Sequence, residues 1–93
     1  MNRQNLIRRR ICFYGIVQGV GFRWVAQNAA LAANATGWVH NEYDGSVTME
    51  IQGTAAQIAQ VLDALENARY IRIERTVSRD ISVIFDERRF AIK

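Results

Sequence analysis

The chain has 93 residues, of which 49% are hydrophobic and 23% are charged, and its formal net charge is +3. This length suits a single globular domain, which we place over residues 1–93, and the composition excludes a disordered tail or a fibrous repeat. The longest unbroken apolar stretch, Ala29 to Ala33, is far shorter than the roughly 20 residues that span a bilayer, so no membrane-spanning helix is expected. The single cysteine, Cys12, cannot form an internal disulfide, which favours a cytoplasmic protein.

The N-terminal third of the sequence predicts a strand, a glycine-bearing loop and a helix. Residues 11–17 are rich in β-branched and aromatic side chains, which favour a strand. Gly19 and Gly21 interrupt this pattern, and the alanine-rich residues 22–34 then place apolar side chains at helical spacing. Asn34 tolerates the left-handed conformation that commonly ends a helix, so we expect the helix to stop there.

A β-hairpin follows the first helix. Residues 38–43 and 46–52 form two short strand-like runs, and Asp44 and Gly45 between them tolerate the positive φ angles that tight turns need. In the second run apolar and polar side chains alternate, so one face of this strand is expected to be buried and the other exposed.

The C-terminal part adds a second helix and two strands. Thr54 and Gln57 form the pattern of a capping box, and the apolar stripe behind them predicts a helix over residues 55–66. Residues 70–78 predict a fourth strand, and residues 90–92 a short closing one. The order β-α-β-β-α-β predicts an α+β, ferredoxin-like fold, in which one mostly antiparallel sheet carries both helices on a single face.

The loop between the first strand and the first helix has the features of an anion-binding site. Gly19 and Gly21 allow several backbone N–H groups to converge, and the helix N-terminus adds unpaired donors and a partial positive charge. Arg23 lies in the first helical turn, where a cation is unfavourable unless an anion sits beside it. A plain strand-to-helix turn also uses glycine, however, and the loop lacks both the Walker lysine and the third glycine of the dinucleotide motif.

A second segment supplies a polar side chain that the topology brings close to this loop. Asn41 ends the run Gly37-Trp38-Val39-His40-Asn41, and Asp44-Gly45-Ser46-Val47 follows it. The first and second strands are linked through the first helix, so the end of the second strand can lie beside the loop. Taken alone, an asparagine at this position more often completes a turn by hydrogen bonding to its own backbone.

Together, these two segments closely resemble the acylphosphatase family. The matching motifs are V-Q-G-V-G-F-R at residues 17–23 and G-W-V-H-N-x-x-D-G-S-V at residues 37–47, and the resemblance covers nearly the whole chain. It implies hydrolysis of acyl phosphates to a carboxylate and inorganic phosphate, with no cofactor and no metal ion. It also implies that Arg23 binds the phosphate and that Asn41 orients the attacking water. The implied phosphate-binding loop consists of Gln18, Gly19, Val20, Gly21, Phe22 and Arg23.

The same resemblance implies a small acyl phosphate as substrate, with inorganic phosphate as product and inhibitor. We expect a monomer, with no specific nucleic acid partner and no membrane. The chain departs from the family pattern after the second helix, where Asn67-Ala68-Arg69-Tyr70 replaces the usual Gly-Pro. Glu42 follows Asn41, but strand alternation is expected to send its carboxylate to the opposite face of the sheet.

A non-catalytic module of the same fold that binds RNA or another anion is the alternative. The RNA recognition motif shares this topology, and the chain carries a positive net charge. The aromatic stacking code of that motif is absent from residues 46–51. The presence of both Arg23 and Asn41 favours the enzyme.

Four other candidates are expected to have structural or surface roles. His40 is the only histidine, has no nearby cysteine with which to share a metal ion, and is expected to face away from Asn41. Cys12 lies in the middle of a strand and is expected to pack as a small apolar residue. Asp44 is expected to close the hairpin turn, and the run Arg8-Arg9-Arg10 to be a solvated lead-in to the first strand.

Overall fold

Two helices and a five-stranded sheet make up the fold over residues 5–93, the part of the chain that the computed structural model describes. The elements are, in chain order, β1 (Ile7–Ile16), α1 (Phe22–Ala33), β2 (Thr36–Asn41), β3 (Val47–Gly53), α2 (Ala55–Glu66), β4 (Arg72–Ile81) and β5 (Phe90–Ile92). The strands lie in the order β4-β1-β3-β2-β5, and only the β2–β5 pair is parallel. This arrangement confirms the predicted α+β, ferredoxin-like fold.

Both helices pack on the face of the sheet that the odd-numbered residues of β1 present. The helices contribute apolar side chains at helical spacing, among them Ala26 and Ala30 of α1 and Ile58 and Val61 of α2, all of them buried. At the start of α1 the Phe22 ring packs against Phe13 of β1, with 4.9 Å between the ring centroids. Such an aromatic pair adds about 0.5–1.5 kcal/mol to simple burial, so it fixes the N-terminus of α1 on the sheet.

The two ends of α2 are fixed by local hydrogen bonds of the residues found there. Thr54 and Gln57 form the expected reciprocal capping box at the start of α2. Asn67 ends α2 in place of the usual Gly-Pro: its backbone N–H donates to the Asp63 carbonyl at 3.0 Å, and its side chain donates to the same oxygen at 2.9 Å. Ile71 is buried just beyond this turn, so the departure does not prevent the chain from docking β4. In the described part of the chain, neither helix has the length and apolar character needed to cross a membrane.

The second strand begins two residues earlier than the sequence predicts, because Gly37 lies inside it. The φ of Gly37 is 138°, and a Cβ at this position would clash with the Glu50 carbonyl oxygen on β3. Glycine therefore serves here to let two strands approach closely. The predicted run started after this glycine, at residue 38, and so missed the first two residues of the strand.

The prediction that Arg8-Arg9-Arg10 is a solvated lead-in was wrong for Arg8. The first strand begins at Ile7 rather than at residue 11, and the Arg8 side chain is only 1% exposed. Its guanidinium donates to Glu87 at 2.7 Å and to Glu50 at 3.0 Å, on the face of the sheet that carries no helix. These partners lie 79 and 42 residues away in sequence, so no local pattern around Arg8 predicts them.

This buried ion cluster holds the segment that connects the two edges of the sheet. Strands β4 and β5 lie at opposite edges, so residues 82–89 must cross between them. Gln52 of β3 pairs with Ile84 in this segment through two hydrogen bonds, at 2.7 and 2.8 Å. Arg8 adds its bonds to Glu87 a few residues later. The crossing segment is thereby fixed to the sheet before β5 begins.

Burial alone raises the pKa of Glu50, but the hydrogen bonds and charges of Arg10 and Arg8 outweigh this effect and hold its pKa below the usual value of 4.5. The shortest contact in the cluster joins the Arg10 guanidinium to the Glu50 carboxylate at 2.6 Å. A lowered pKa means that the folded state favours the carboxylate. The stability that Glu50 contributes is therefore present above pH 4.5 and is lost as the pH falls through its lowered pKa.

We expect Arg8→Ala to lower the free energy of unfolding by about 3 kcal/mol or more, because removing one partner of a buried ion pair leaves charge uncompensated. The matched control is Arg9→Ala: Arg9 is one-third exposed and pairs with Asp80, which is 79% exposed. Such a surface pair contributes at most about 1 kcal/mol. Urea unfolding at neutral pH measures both variants, and equal losses of stability would contradict the proposed importance of the cluster.

Candidate functional site

A cleft lies where the loop after β1, the start of α1 and the end of β2 meet. Its volume is about 270 Å³, and its lining residues are Val17, Gly19, Gly21, Phe22, Arg23, Trp24, Asn41 and Ile92. The two residues singled out from separate sequence segments, Arg23 and Asn41, therefore line one cavity. Val17, Trp24 and Ile92 also line the cleft, although the predicted site did not include them.

The loop depends on glycine for its backbone conformation. Gly19 and Gly21 have φ angles of 73° and 82°, in the left-handed region, although a Cβ at either position would meet no other atom within 4 Å. A side chain would fit in space but would cost roughly 1–2 kcal/mol in backbone strain. Gly21 caps α1 without any side-chain hydrogen bond, and the first turn holds no acidic residue. Among residues 5–93, no acceptor pairs with the N–H groups from Gly19 to Phe22, so these donors are free to bind a ligand or solvent.

Arg23 adds a full positive charge to this group of donors. Its side chain is exposed in the first turn of α1, and no carboxylate among residues 5–93 lies within ion-pair distance of it. A cation at a helix N-terminus is electrostatically unfavourable without an anion nearby. The combination of unpaired N–H groups and an unpaired guanidinium is therefore suited to a phosphate or a carboxylate.

Asn41, the last residue of β2, lines the same cleft and carries a buried acceptor. Its Oδ1 is inaccessible to solvent and has no hydrogen-bond partner among the described residues. An unpaired buried acceptor costs roughly 1–3 kcal/mol, so a folded protein rarely retains one without a use. An N–H or O–H donor bound in the cleft would remove this cost.

Gln18 ties the loop to the turn that follows Asn41. Its side-chain amide donates to the carbonyl oxygens of Glu42 and Ser46, both at 2.8 Å. The turn is itself fixed, because Asp44 accepts from the Ser46 hydroxyl at 2.6 Å and from the Ser46 backbone N–H at 2.9 Å. These two bonds, the hydroxyl contact first, lower the pKa of Asp44. Gln18 thus holds the two halves of the cleft together.

The predicted loop residues therefore divide into two groups. Gly19, Gly21 and Phe22 line the cleft, whereas Gln18 uses its side chain for the tie to the turn, and Val20 packs against the core. The expectation for Glu42 is confirmed, because it lines a separate depression on the helix-free face of the sheet.

Asp44, Cys12 and His40 have structural or surface roles, as expected from the sequence. Asp44 closes the hairpin turn, and Cys12 is half-buried with its Sγ 3.7 Å from the Thr48 hydroxyl. His40 is exposed, and its Nδ1 lies 3.1 Å from the backbone oxygen of Lys93. Across residues 5–93, no three His, Cys, Asp or Glu side chains are grouped so that they could hold a metal ion. The polar groups of the lining residues are one guanidinium, one amide, the indole N–H of Trp24 and the backbone.

Comparison with known proteins decides what kind of protein has this cleft. A sequence model of the acylphosphatase family matches residues 9–92. The chain belongs to the acylphosphatase family. An acylphosphatase of Leuconostoc mesenteroides is 40% identical to it over 82 residues, which cover 86% of this chain and 90% of that protein.

Solved acylphosphatase structures have the same fold. The crystal structure of acylphosphatase from Bacillus subtilis superimposes with a TM-score of 0.85 at 28% identity, covering 94% of this chain and 98% of its own. An acylphosphatase from Coxiella burnetii gives a TM-score of 0.87 at 25% identity over the full length of both chains. The resemblance in the two motifs thus extends to the whole sheet and both helices.

Proposed function

We propose that the cleft binds the phosphoryl group of an acyl phosphate and that Asn41 orients the water molecule that attacks it. As a member of the acylphosphatase family, the chain is an enzyme that hydrolyses acyl phosphates. The observation that carries the assignment of Asn41 is that this residue lines the same cleft as Arg23 and has a buried, unpaired Oδ1.

The phosphoryl oxygens are held by the backbone and by Arg23. The unpaired N–H groups from Gly19 to Phe22 donate to these oxygens, and the guanidinium can contact two of them at once. The N-terminus of α1 adds its partial positive charge. Because the backbone N–H groups and the helix N-terminus are fixed before the substrate binds, they stabilise the charge of the transition state without rearranging.

Asn41 acts on the nucleophile. Its Oδ1 accepts a hydrogen bond from the attacking water, and its Nδ2 can donate to a phosphoryl oxygen. The water oxygen forms a bond to phosphorus while the bond from phosphorus to the bridging oxygen breaks. The electron pair of that bond leaves with the carboxylate, and the proton of the water passes to a phosphoryl oxygen of the substrate.

The leaving group explains why so few side chains suffice. A carboxylic acid has a pKa of about 4, so the carboxylate departs at neutral pH without a proton donor. Phosphoryl transfer otherwise depends mainly on positioning and on charge stabilisation. One guanidinium, one amide and a set of backbone N–H groups can supply both.

We expect the purified chain to hydrolyse benzoyl phosphate at an undiminished rate in excess EDTA. It should leave glycerol phosphate nearly untouched, because an alkoxide leaving group needs an acid or a metal ion that the cleft does not supply. Release of inorganic phosphate measures both reactions, and an Arg23→Ala preparation purified in parallel controls for contaminating phosphatases. Inorganic phosphate should inhibit competitively as the product. Complete loss of activity in EDTA, or equal rates on both substrates, would contradict the proposed mechanism.

The remaining features of the proposal concern the chain as a whole. We propose that residues 1–93 form one domain and that this domain acts as a monomer in the cytoplasm, with no specific nucleic acid partner. One sheet shared by both helices supports the single domain. The single cysteine, which pairs with no other, supports a reducing compartment.

A further inference from the structure

The cleft has an apolar part that binding of phosphate does not explain. Trp24 and Ile92 line it together with Arg23 and Asn41, yet Trp24 is 67% exposed and Ile92 is 41% exposed. Large apolar side chains left in water forgo the stabilisation that burial brings. An exposed tryptophan on the rim of a binding cleft therefore indicates a contact with the ligand.

The fold brings these two side chains to one end of the cleft. The side chain of Gln27, three residues after Trp24 on the same side of α1, donates to the Phe90 carbonyl at 3.0 Å. Ile92 lies two residues after Phe90 and hence on the same face of β5. Strand β5 is parallel to β2, and it ends where α1 begins. Trp24 and Ile92 thus both line the cleft near the first turn that carries Arg23.

We propose that Trp24 and Ile92 form the binding subsite for the acyl group, and that this subsite selects acyl phosphates with an aromatic or bulky apolar acyl group. The proposal rests on the proposed binding of the phosphoryl group at Arg23 and the loop. Trp24 lines the same cleft as Arg23, so a phosphoryl group held by the guanidinium leaves the acyl group within reach of the indole ring.

The lining offers no ion pair to a second negative charge on the acyl group. Arg23 is the only charged side chain among the cleft-lining residues. If Arg23 holds the phosphoryl group, a carboxylate or second phosphate on the acyl group finds no cation in the lining. An acyl phosphate with a second negative charge therefore gains neither an ion pair nor an apolar contact in the subsite.

The test compares benzoyl phosphate with acetyl phosphate in the wild type and in Trp24→Ala. Each variant is characterised by the ratio of kcat/KM for benzoyl phosphate to kcat/KM for acetyl phosphate. The intrinsic reactivity of the two substrates is the same for every variant, so a change in the ratio reports only contacts to the acyl group. We expect the ratio to fall about tenfold in Trp24→Ala, mainly through a higher KM for benzoyl phosphate, because the lost contact binds ground state and transition state alike.

Two further variants make the comparison specific. Trp24→Phe retains an aromatic surface and should keep most of the wild-type ratio. Leu31→Ala removes another exposed apolar side chain of α1 that lies outside the cleft, and it should leave the ratio unchanged. The inhibition constant of inorganic phosphate should stay within about twofold of the wild-type value in Trp24→Ala, because phosphate does not reach the acyl subsite.

The outcomes separate this proposal from the proposed function. If the wild type hydrolyses neither substrate, the proposed function itself is wrong. If it hydrolyses both, but Trp24→Ala keeps the wild-type ratio or loses affinity for inorganic phosphate, the acyl subsite is wrong and the proposed function stands. If Trp24→Ala fails to fold in a thermal scan, Ile92→Ala is measured in the same way, and an unchanged ratio there overturns the subsite.

Discussion

Replacing Arg23 with lysine is expected to lower kcat/KM for acyl phosphate hydrolysis on the order of 10³-fold while the protein remains folded. The guanidinium is a planar fork that can grip two phosphoryl oxygens, whereas the lysine ammonium is a point charge on a flexible stem. The fold should tolerate the change, because Arg23 is exposed and forms no ion pair with residues 5–93. Initial rates and a thermal scan measure activity and folding separately.

Arg79→Lys is the matched control for the loss of a guanidinium. Arg79 is exposed on β4, outside the cleft, so its replacement should leave kcat/KM within about twofold of the wild-type value. Inorganic phosphate provides a second readout: it should raise the melting temperature of the wild type at matched ionic strength, and it should do so less in Arg23→Lys. A folded Arg23→Lys variant with wild-type efficiency would refute the assigned role of Arg23.

The features that the sequence predicts well are those whose causes are local. The capping box of Thr54 and Gln57 and the apolar stripe behind it fix α2 at the predicted residues. Asn34 takes the left-handed conformation expected at the end of α1, with a φ of 60°. The association of Arg23 with Asn41 was also predictable, because the order of the elements brings the end of β2 to the loop. Each of these conclusions needs only short-range patterns or the topology.

The features that the sequence does not predict depend on contacts between distant residues. Arg8 is buried because carboxylates on β3 and in the crossing segment reach it. The partners of Gln18 are also distant in sequence, because the carbonyl groups that its side chain binds lie 24 and 28 residues away. Ile92 joins the cleft only because β5 pairs with the strand that carries Asn41. A hydropathy pattern records whether a side chain is apolar, but not which distant polar group will meet it.

The topology of the fold is shared with RNA-binding modules, but the surface of the sheet does not favour the alternative of a non-catalytic RNA-binding module. Two aromatic side chains, Tyr14 and Trp38, lie on the helix-free face, where an RNA recognition motif stacks bases. Arg75 covers the Tyr14 ring at 4.0 Å, and Lys93 lies 4.4 Å from the centroid of Trp38. These rings are thus already in contact with cations of the same chain. Membership of the acylphosphatase family favours the enzyme independently.

Asn41→Ala is expected to lower kcat and kcat/KM together by about 10²-fold or more, because correct alignment of the water is worth several kcal/mol and acts mainly in the transition state. Phosphate affinity should change much less, since Arg23 and the loop N–H groups still hold the anion. Steady-state kinetics measure the first effect, and calorimetry with inorganic phosphate measures the second. Gln60→Ala, which removes an exposed amide of α2, serves as the control.

The stability of Asn41→Ala distinguishes a catalytic asparagine from one that only completes a turn. If Asn41 were a turn residue, its side chain would bond to nearby backbone, and its loss would destabilise the hairpin. Its Oδ1 is instead buried and unpaired among residues 5–93, at a cost that the alanine variant avoids. We therefore expect the free energy of unfolding of Asn41→Ala to equal or exceed that of the wild type. Such a result is typical of a residue that is retained for activity at the expense of stability. A variant that unfolds more easily, or that loses phosphate affinity in proportion to kcat, would assign Asn41 to the structure of the turn.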